Sequence, residues 1–186
     1  MALVERVKNI LLTPKTEWPV IASEAATTQS LYTGYVLILA AIGPVAMALR
    51  GGMFGVTAGI FSYVVGLAIT YALAFIVDAL APTFGGEKDF VSSLKLVAYS
   101  YTAAWIAGIA QLLGGIGGII GLLAAIYSFY TFYLGVPLLK KCPPEKAAGY
   151  TIVVVLCGIV LGFVLGGLLM SAILGGGMMG GMALMR

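Results

Sequence analysis

The sequence predicts an all-α integral membrane protein, in which five transmembrane helices form a bundle and an amphipathic helix at the amino terminus lies in the membrane interface. Of the 186 residues, 61% are hydrophobic and only 9% are charged, which leaves too little polar surface for a domain dispersed in water. Apolar runs long enough to cross a hydrocarbon core of about 30 Å recur along the chain. Segments of alternating polarity, typical of a membrane barrel, are missing from the sequence, so the spanning backbone must be helical.

The amino-terminal segment, residues 1–26, is predicted to be amphipathic, interfacial and cytoplasmic. Its apolar face holds Leu3, Val4, Val7, Ile10 and Leu11, and its polar face holds Glu5, Arg6, Lys8 and Asn9. These charges interrupt the unbroken apolar core that a secretory signal needs, so we expect no cleavage. Thr16 is expected to cap a short second helix whose Trp18 lies at the level of the lipid headgroups.

Five spans are predicted within residues 27–175, and residues 176–186 are predicted to form a flexible tail rich in methionine and glycine. Apolar length places the spans at about 31–49, 56–80, 92–113, 116–139 and 147–174. The basic residues on one side of these spans are Arg6, Lys8, Lys15, Lys88, Lys95, Lys140, Lys141 and Lys146, and those on the other side are Arg50 and Arg186. The positive-inside rule therefore predicts a cytoplasmic amino terminus and a carboxyl terminus outside.

Asp78 is the acid that the sequence places inside an apolar span, near the cytoplasmic end of the second. An ionisable group there is a candidate functional residue by default, whereas a position close to the interface would leave it hydrated and merely structural. The other charged residues are predicted outside the deep bilayer, so a proton or cation relay finds little support.

Several functional classes are excluded by what the sequence lacks. Histidine is absent, and Cys142 and Cys157 are predicted at different depths, which argues against most zinc sites and against a disulfide framework. The sequence has no nucleotide-binding loop and no nucleophile paired with a base. We therefore predict a protein that is not an enzyme and that has no metal and no cofactor. The small, scattered positive charge also predicts that nucleic acid is not a partner.

Glycine is unusually frequent, with 26 residues, and its spacing suggests helix packing. Gly158, Gly162 and Gly166 repeat every four residues in the fifth span, a pattern that lets two helix backbones approach closely. The stripe serves either packing within the bundle or a homodimer through the fifth span. The methionines of the tail, Met178, Met179, Met182 and Met185, are either flexible apolar filler or soft ligands for Cu(I).

Tyrosine is also in excess, with ten residues. Tyr99 and Tyr101 lie in the third span, and Tyr127, Tyr130 and Tyr133 follow one another along the fourth. Near the inner boundary these side chains form an interfacial belt. Alternatively, some of them line a polar pocket together with the side chains Asp78, Ser100 and Ser128.

Three motifs resemble the bacterial branch of the Yip1 family, whose members are five-span membrane proteins. They are DALAPTFGGEKDF, LKLVAYSYTAAWIAGI and YSFYTFYLGVPLLKKCPPEKAAGYT. The resemblance implies a five-helix bundle in the inner membrane with a cytoplasmic amino terminus. The eukaryotic members bind Rab GTPases, but this chain lacks their DLYGP signature and their long amino-terminal segment, so Rab binding is not carried over. Ala103 stands where a proline is more typical, which leaves the bend of the third helix in question.

The resemblance also places a candidate site. It assigns the residues from Asp78 to Gly86 to a characteristic inner loop, which faces a second loop made basic by three lysines. The candidate residues for a ligand or partner are Asp78, Pro82, Phe84, Gly85, Gly86, Tyr99, Ser100, Tyr127, Lys140, Lys141 and Lys146.

The predicted function is that of a self-associating membrane protein whose cytoplasmic loops act as a docking or membrane-organising platform. The expected partners are the lipid bilayer, anionic lipid headgroups, further copies of the chain and an unidentified cytoplasmic protein. The alternative is a transporter or channel for an ion, lipid or small solute, with a cavity lined by Asp78 and tyrosines.

Overall fold

A computed structural model describes the backbone of residues 2–183 and the side chains of residues 2–167 and Ser171. The backbone in this range contains helices and turns and no strand, which confirms the predicted all-α class. The helical segments long and apolar enough to cross a membrane are Thr28–Phe84, Phe90–Leu113, Gly115–Leu139 and Pro144–Gly167.

The elements follow one another with short connections. In chain order they are α1 (Leu3–Leu12), α2 (Pro14–Ser23), α3 (Thr28–Leu31), a π-helical turn (Tyr32–Val36), α4 (Leu37–Ala40), α5 (Ile42–Leu80), a 3-10 turn (Ala81–Phe84), α6 (Phe90–Ser100), α7 (Thr102–Ala107), a second 3-10 turn (Gly108–Leu113), α8 (Gly115–Leu139) and α9 (Pro144–Ala183).

The first long segment folds back on itself. Thr28–Phe84 contains 57 residues, about 85 Å of helix, which is far longer than the hydrocarbon core of a bilayer. Gly52, inside α5, has φ 55° and ψ −141°, a conformation that a residue with a Cβ rarely adopts. The helix therefore breaks at Gly52 and the chain reverses there.

The helical segments before and after Gly52, which we call the two arms, run antiparallel, as the contacts between them show. The Tyr32 hydroxyl donates to the Leu67 carbonyl at 3.0 Å, and the Tyr63 hydroxyl donates to the Leu37 carbonyl at 2.9 Å. The arms coincide in position with the first two predicted spans. That the chain crosses a bilayer five times stays a prediction.

The amino-terminal layer, α1 and α2, differs from the prediction in the placement of three residues. Arg6, predicted on the polar face, is only 4% exposed, while Val4 of the apolar face is 76% exposed. Trp18 is fully buried in the core rather than placed at the protein surface. The reason is that α2 supplies acidic partners to Arg6, so α1 turns its arginine toward the bundle and packs through Ile10.

The third apolar segment is interrupted at Tyr101 rather than at Ala103. α6 ends at Ser100 and Ala103 lies inside α7. Near its far end this segment tightens into a 3-10 turn at Gly108, whose backbone packs on Gly43. A Cβ at Gly108 would lie 2.8 Å from the Gly43 Cα, so the close approach requires glycine.

α9 is helical from Pro144 through Ala183. The backbone is thus helical over 176–183, within the segment predicted as a flexible tail, and the division at residue 176 stays a prediction. The side chains of the tail methionines lie outside the described residues, so Cu(I) binding also stays a prediction.

Candidate functional site

The two inner loops meet around the buried ammonium group of Lys140. Lys140 Nζ donates to Asp78 Oδ1 at 3.0 Å, to Ser93 Oγ at 2.7 Å and to the Asp89 carbonyl at 3.1 Å. Its side chain is 0% exposed and that of Asp78 is 20% exposed. Since an ammonium group has three protons, every donor of Lys140 is used. We call these four residues the Lys140 cluster.

One carboxylate oxygen of Asp78 collects several hydrogen bonds. Besides the ion pair with Lys140, Asp78 Oδ1 accepts a hydrogen bond from the Asp89 backbone amide at 2.8 Å and one from Ser93 Oγ at 3.1 Å. These contacts tie the end of α5 to the start of α6. The acid that stood out in the sequence therefore joins three chain segments.

Asp89 fixes where α6 begins. Its side chain accepts from the Val91 amide at 3.0 Å and from the Ser92 hydroxyl at 2.5 Å, as an N-cap residue does. Burial acts to raise the pKa of the Asp89 carboxyl, but the bonds from Ser92 and Val91 and the nearby charge of Lys140 outweigh it and hold that pKa below its ordinary value.

Backbone geometry brings Lys140 to the first loop. Lys141, with φ 53°, ends α8 in a left-handed turn, and the Lys140 carbonyl accepts from the Glu87 amide at 2.8 Å. A Cβ at Gly86 would lie 2.8 Å from that same carbonyl, so only glycine lets the loops approach this closely. Gly85, with φ 75°, closes the preceding turn.

Side-chain packing joins the loops a second time. The Phe84 ring stacks on the Tyr150 ring with centroids 5.1 Å apart, and the Tyr150 hydroxyl donates to the Val77 carbonyl. The Cys142 thiol donates to the Phe84 carbonyl at 3.1 Å, and burial raises its pKa. Cys142 is thus a structural donor rather than an activated thiol.

The surface over the Lys140 cluster carries both signs of charge. Lys141 Nζ lies 2.6 Å from Glu87 Oε2, with both side chains largely exposed, so this pair contributes little to stability. Lys146 is exposed beside Gly85, and Pro82 is exposed in the 3-10 turn. These residues, unlike Lys140, remain accessible to a partner.

A second charged cluster, which the sequence did not reveal, lies under α1 and α2. Arg6 forms ion pairs with Glu17 and Glu24, and its guanidinium carbon lies 5.6 Å from the centroid of the Tyr99 ring. Lys95 Nζ donates to the backbone carbonyls of Ile21 in α2 and of Glu24, which follows α2. Burial acts to lower the pKa of the Arg6 guanidinium, but the negative charges of Glu24 and Glu17 have the larger effect. The pKa of Arg6 therefore lies above its ordinary value. The Arg6 cluster comprises Arg6, Glu17, Glu24, Lys95 and Tyr99.

One sequence signal points to this cluster. Thr13 and Pro14 mark a break between two short helices, and a helical hairpin places charges of opposite sign on α1 and α2 face to face. Arg6 precedes that break, and Glu17 and Glu24 follow it.

The remaining predicted site residues lie apart from Asp78. Tyr99 packs edge-on against Tyr35, with ring centroids 4.7 Å apart. The Tyr127 hydroxyl donates to the Leu11 carbonyl at 2.9 Å, which fastens α1 to α8. Ser100 lines a cavity deeper in the bundle, and Asp78 is not among the described residues that line it. The candidate residues thus divide among four places: the two loops, the Arg6 cluster, the contact between α1 and α8, and the cavity.

The glycine stripe of α9 is only partly used within the chain. A Cβ at Gly158 would lie 3.7 Å from the Leu73 side chain, whereas Cβ atoms at Gly162 and Gly166 would meet no described atom within 4 Å. Closer helix contacts occur elsewhere, as where a Cβ at Gly59 would lie 2.7 Å from the Pro44 carbonyl.

Among the described residues, no three histidine, cysteine, aspartate or glutamate side chains are grouped so as to hold a metal ion. Comparison with known families gives a match to the Yip1 domain over residues 8–166. The chain belongs to the Yip1 family. With its long apolar helices, this Yip1 protein is a multi-pass membrane protein. No match was found among the curated proteins or among the solved structures.

The Yip1 domain includes the whole Lys140 cluster and, within the Arg6 cluster, every residue except Arg6 itself. The bacterial branch and the number of spans stay predictions.

Proposed function

We propose that this Yip1 protein is a non-enzymatic, self-associating protein of the bacterial inner membrane whose cytoplasmic end is a docking platform. The observation that supports this proposal is the Lys140 cluster. It joins two loops from distant parts of the chain through a lysine that has no solvent exposure. The charged residues on the surface above it are therefore held in fixed positions.

The chemistry of this surface favours a protein partner. The exposed charged residues of the two loops are Glu87, Lys88, Asp89, Lys141, Glu145 and Lys146. Three bases and three acids interleave there, a pattern that gives register and selectivity against a complementary protein surface. A purely basic patch would instead be typical of a site for anionic headgroups, which here act as a secondary attraction for the lysines.

Charge distribution supports a cytoplasmic position for this platform. The Lys140 and Arg6 clusters and the basic loops belong to the side that holds eight of the ten lysines and arginines, and the positive-inside rule puts that side in the cytoplasm. Arg50 belongs to the opposite side, where it donates to the Gln111 carbonyl at 3.1 Å.

Self-association is supported by the outer face of α9. Gly162 and Gly166 lie in open space, and the neighbouring Val160, Phe163 and Val164 are exposed. In the part of the chain that the structure describes, no other helix covers this end of the stripe, so it is available to the same stripe of a second copy.

Photocrosslinking in intact cells tests the platform. A photoreactive amino acid in place of Lys146 is expected to give discrete protein adducts, and one in place of Arg50, at the opposite end, is expected to give none of them. Asp78→Ala should reduce the Lys146 adducts, because it removes the ion pair with Lys140 that holds the two loops together. A chain that gives the same adducts from both ends, or none from Lys146, would contradict the platform.

Disulfide crosslinking tests self-association. With Cys157→Ser as the background, Gly162→Cys is expected to form a covalent dimer on oxidation in the membrane, because its Cβ points into open space. Gly59→Cys, enclosed between the arms of α5, is the matched control and should not. A strictly monomeric Gly162 variant would exclude a dimer through this face.

The transport alternative has less support. It requires a cavity lined by Asp78 and tyrosines, but Asp78 is bonded to Lys140, Ser93 and Asp89. Among the described residues, the cavity within the bundle is lined by Tyr101 but not by Asp78. Solute flux in liposomes that depends on Asp78, without loss of folding, would restore this alternative.

A further inference from the structure

We propose that the cavity enclosed by α5, α6, α8 and α9 is a binding site for a small uncharged amphiphile that bears one hydroxyl or carbonyl group and that enters from the lipid. This site lies outside the Lys140 cluster, and the proposal stands independently of the docking platform.

The cavity has a volume of about 180 Å³ and a largely apolar lining that includes Leu73, Val97, Phe132 and Val154. Its size is close to that of the roughly 150 Å³ apolar cavities that stay dry and bind benzene. The space therefore suits about seven or eight non-hydrogen atoms.

Two serine hydroxyls make this cavity different from an apolar void. Ser100 is 4% exposed and Ser128 is 3% exposed, and both line the cavity. In the described structure, neither Oγ atom has a hydrogen-bond partner. A buried hydroxyl without a partner costs about 1–3 kcal/mol in proteins, so two of them in one cavity indicate a missing polar partner.

Neighbouring hydroxyls along the chain behave differently. Thr102 Oγ1 donates to the Tyr99 carbonyl at 2.6 Å and Thr131 Oγ1 donates to the Ser128 carbonyl at 2.9 Å. Such bonds to the preceding turn are the usual solution for a hydroxyl in an apolar helix. Ser100 and Ser128 do not use it, although they lie two and three residues away.

The lining determines the chemistry of the ligand. The described lining residues include serine, tyrosine and apolar side chains but no charged group, so a charged ligand would find no counter-ion at this depth. Serine hydroxyls can both donate and accept hydrogen bonds. Tyr101 supplies a third lining hydroxyl. A Cβ at Gly158, another lining residue, would lie 4.0 Å from the Tyr101 hydroxyl. One hydroxyl or carbonyl on an otherwise apolar ligand satisfies this arrangement.

The position of the cavity determines the route of entry. Ser100 is the last residue of α6, about 15 Å along the helix from Phe90, so the hydroxyls lie well inside the bundle. Phe129 of α8 and Ile159 of α9 line the cavity and are also exposed on the outer surface. The opening therefore lies between α8 and α9 and faces the lipid.

The test uses two probes of equal size, benzyl alcohol and ethylbenzene, which differ by a hydroxyl against a methyl group. Full-length protein in lipid nanodiscs is labelled with a hexanol that carries a diazirine, and the labelled residues are mapped by mass spectrometry. At equal mole fraction in the lipid, benzyl alcohol is expected to compete about five- to tenfold better, the value of one hydrogen bond of ordinary strength.

Variants then assign this preference to the serines. Ser100→Ala combined with Ser128→Ala is expected to lower labelling near Phe129 about fivefold or more and to abolish the preference for benzyl alcohol. Ser62→Ala is the matched control, because that hydroxyl donates to the Gly59 carbonyl outside the cavity. Its labelling should equal that of the wild type.

Three results would overturn the proposal. Equal competition by the two probes would show that the cavity accepts any apolar molecule, and labelling unchanged by the double variant would show that the hydroxyls hold only water. Labelling spread along the outer surface would show that there is no site. Should the double variant fail to fold, the comparison of the two probes on the wild type decides alone.

Discussion

Asp78 forms its ion pair with a side chain that is distant in the sequence. The sequence identified Asp78 as unusual but left its role open, because its partner Lys140 lies 62 residues further along. Neither the pairing nor the complete burial of Lys140 follows from a local pattern. What the sequence did indicate, through the two glycines after Pro82, is a tight turn, and Gly86 proves to be where the second loop makes its close approach.

Removing the two partners of the ion pair is expected to have unequal effects. Asp78→Ala leaves the ammonium of Lys140 buried without a counter-ion and should lower the free energy of unfolding by about 3 kcal/mol. Lys140→Met leaves Asp78 partly exposed and still bonded to Ser93, so about 1–2 kcal/mol is expected. Unfolding in mixed detergent, followed by circular dichroism, measures both.

The double variant Asp78→Ala with Lys140→Met provides the control. It contains no unpaired charge, so it should be more stable than Asp78→Ala alone. Additive losses would mean that the two side chains do not interact.

At the scale of elements, the hairpin of α5 and the amino-terminal layer show what apolar periodicity can and cannot determine. Apolar length located both arms of the hairpin, because a bilayer sets the length of a crossing. The sequence did not predict the burial of Arg6, because an amphipathic pattern shows which face of a helix is polar but not which other element packs on that face. α2 is that partner, and its Glu17 reverses the orientation expected for α1.

Glycine substitutions should distinguish contact positions within the hairpin from open ones. Gly59→Ala places a methyl group 2.7 Å from the Pro44 carbonyl and is expected to cost about 1–3 kcal/mol, since backbone must move. Gly66→Ala meets open space and should be neutral or stabilise by up to about 1 kcal/mol. Detergent unfolding of the two variants side by side makes the comparison. Equal effects would contradict the close antiparallel packing.

The amino-terminal layer gives a matched pair on one helix. Arg6→Leu removes the partner of buried Glu17 and is expected to destabilise the packing of α1 by about 2–3 kcal/mol. Lys8→Leu, at an exposed position, should change stability by less than about 0.5 kcal/mol. Protease cleavage of residues 1–26 in nanodiscs is the readout. If both variants are cleaved at the same rate, α1 lies free in the interface as the sequence alone predicts.

At the scale of the whole molecule, the charged residues lie mainly at the ends of the long apolar helices rather than along them. The sequence predicts an unequal division of these charges between the two ends of the bundle, because the positions of lysines relative to long apolar runs are visible without a structure. Which end faces the cytoplasm stays a prediction. The sequence did not predict that the candidate residues divide among the loops, the Arg6 cluster, the contact between α1 and α8, and the cavity. That division depends on which helices are neighbours, and helix neighbours are set by packing of small residues rather than by hydropathy.

Opposite ends of the bundle are expected to lie in different compartments. In a chain with Cys142→Ala and Cys157→Ala, Lys88→Cys should react with a membrane-impermeant maleimide only after the cytoplasmic side is opened. Arg50→Cys should react in intact cells from which the outer membrane has been removed. Reaction of both from the same side would contradict the positive-inside assignment and move the platform out of the cytoplasm.

The late position of Lys140 orders events during synthesis. A nascent chain that ends before this residue already displays Glu87 and Lys88, yet it lacks the ammonium group that holds their loop against α8. The proposed docking face is therefore held in place only after Lys140, three-quarters of the way along the 186 residues, has left the ribosome, and a chain that stops earlier is recognisable by an Asp78 carboxylate without its lysine.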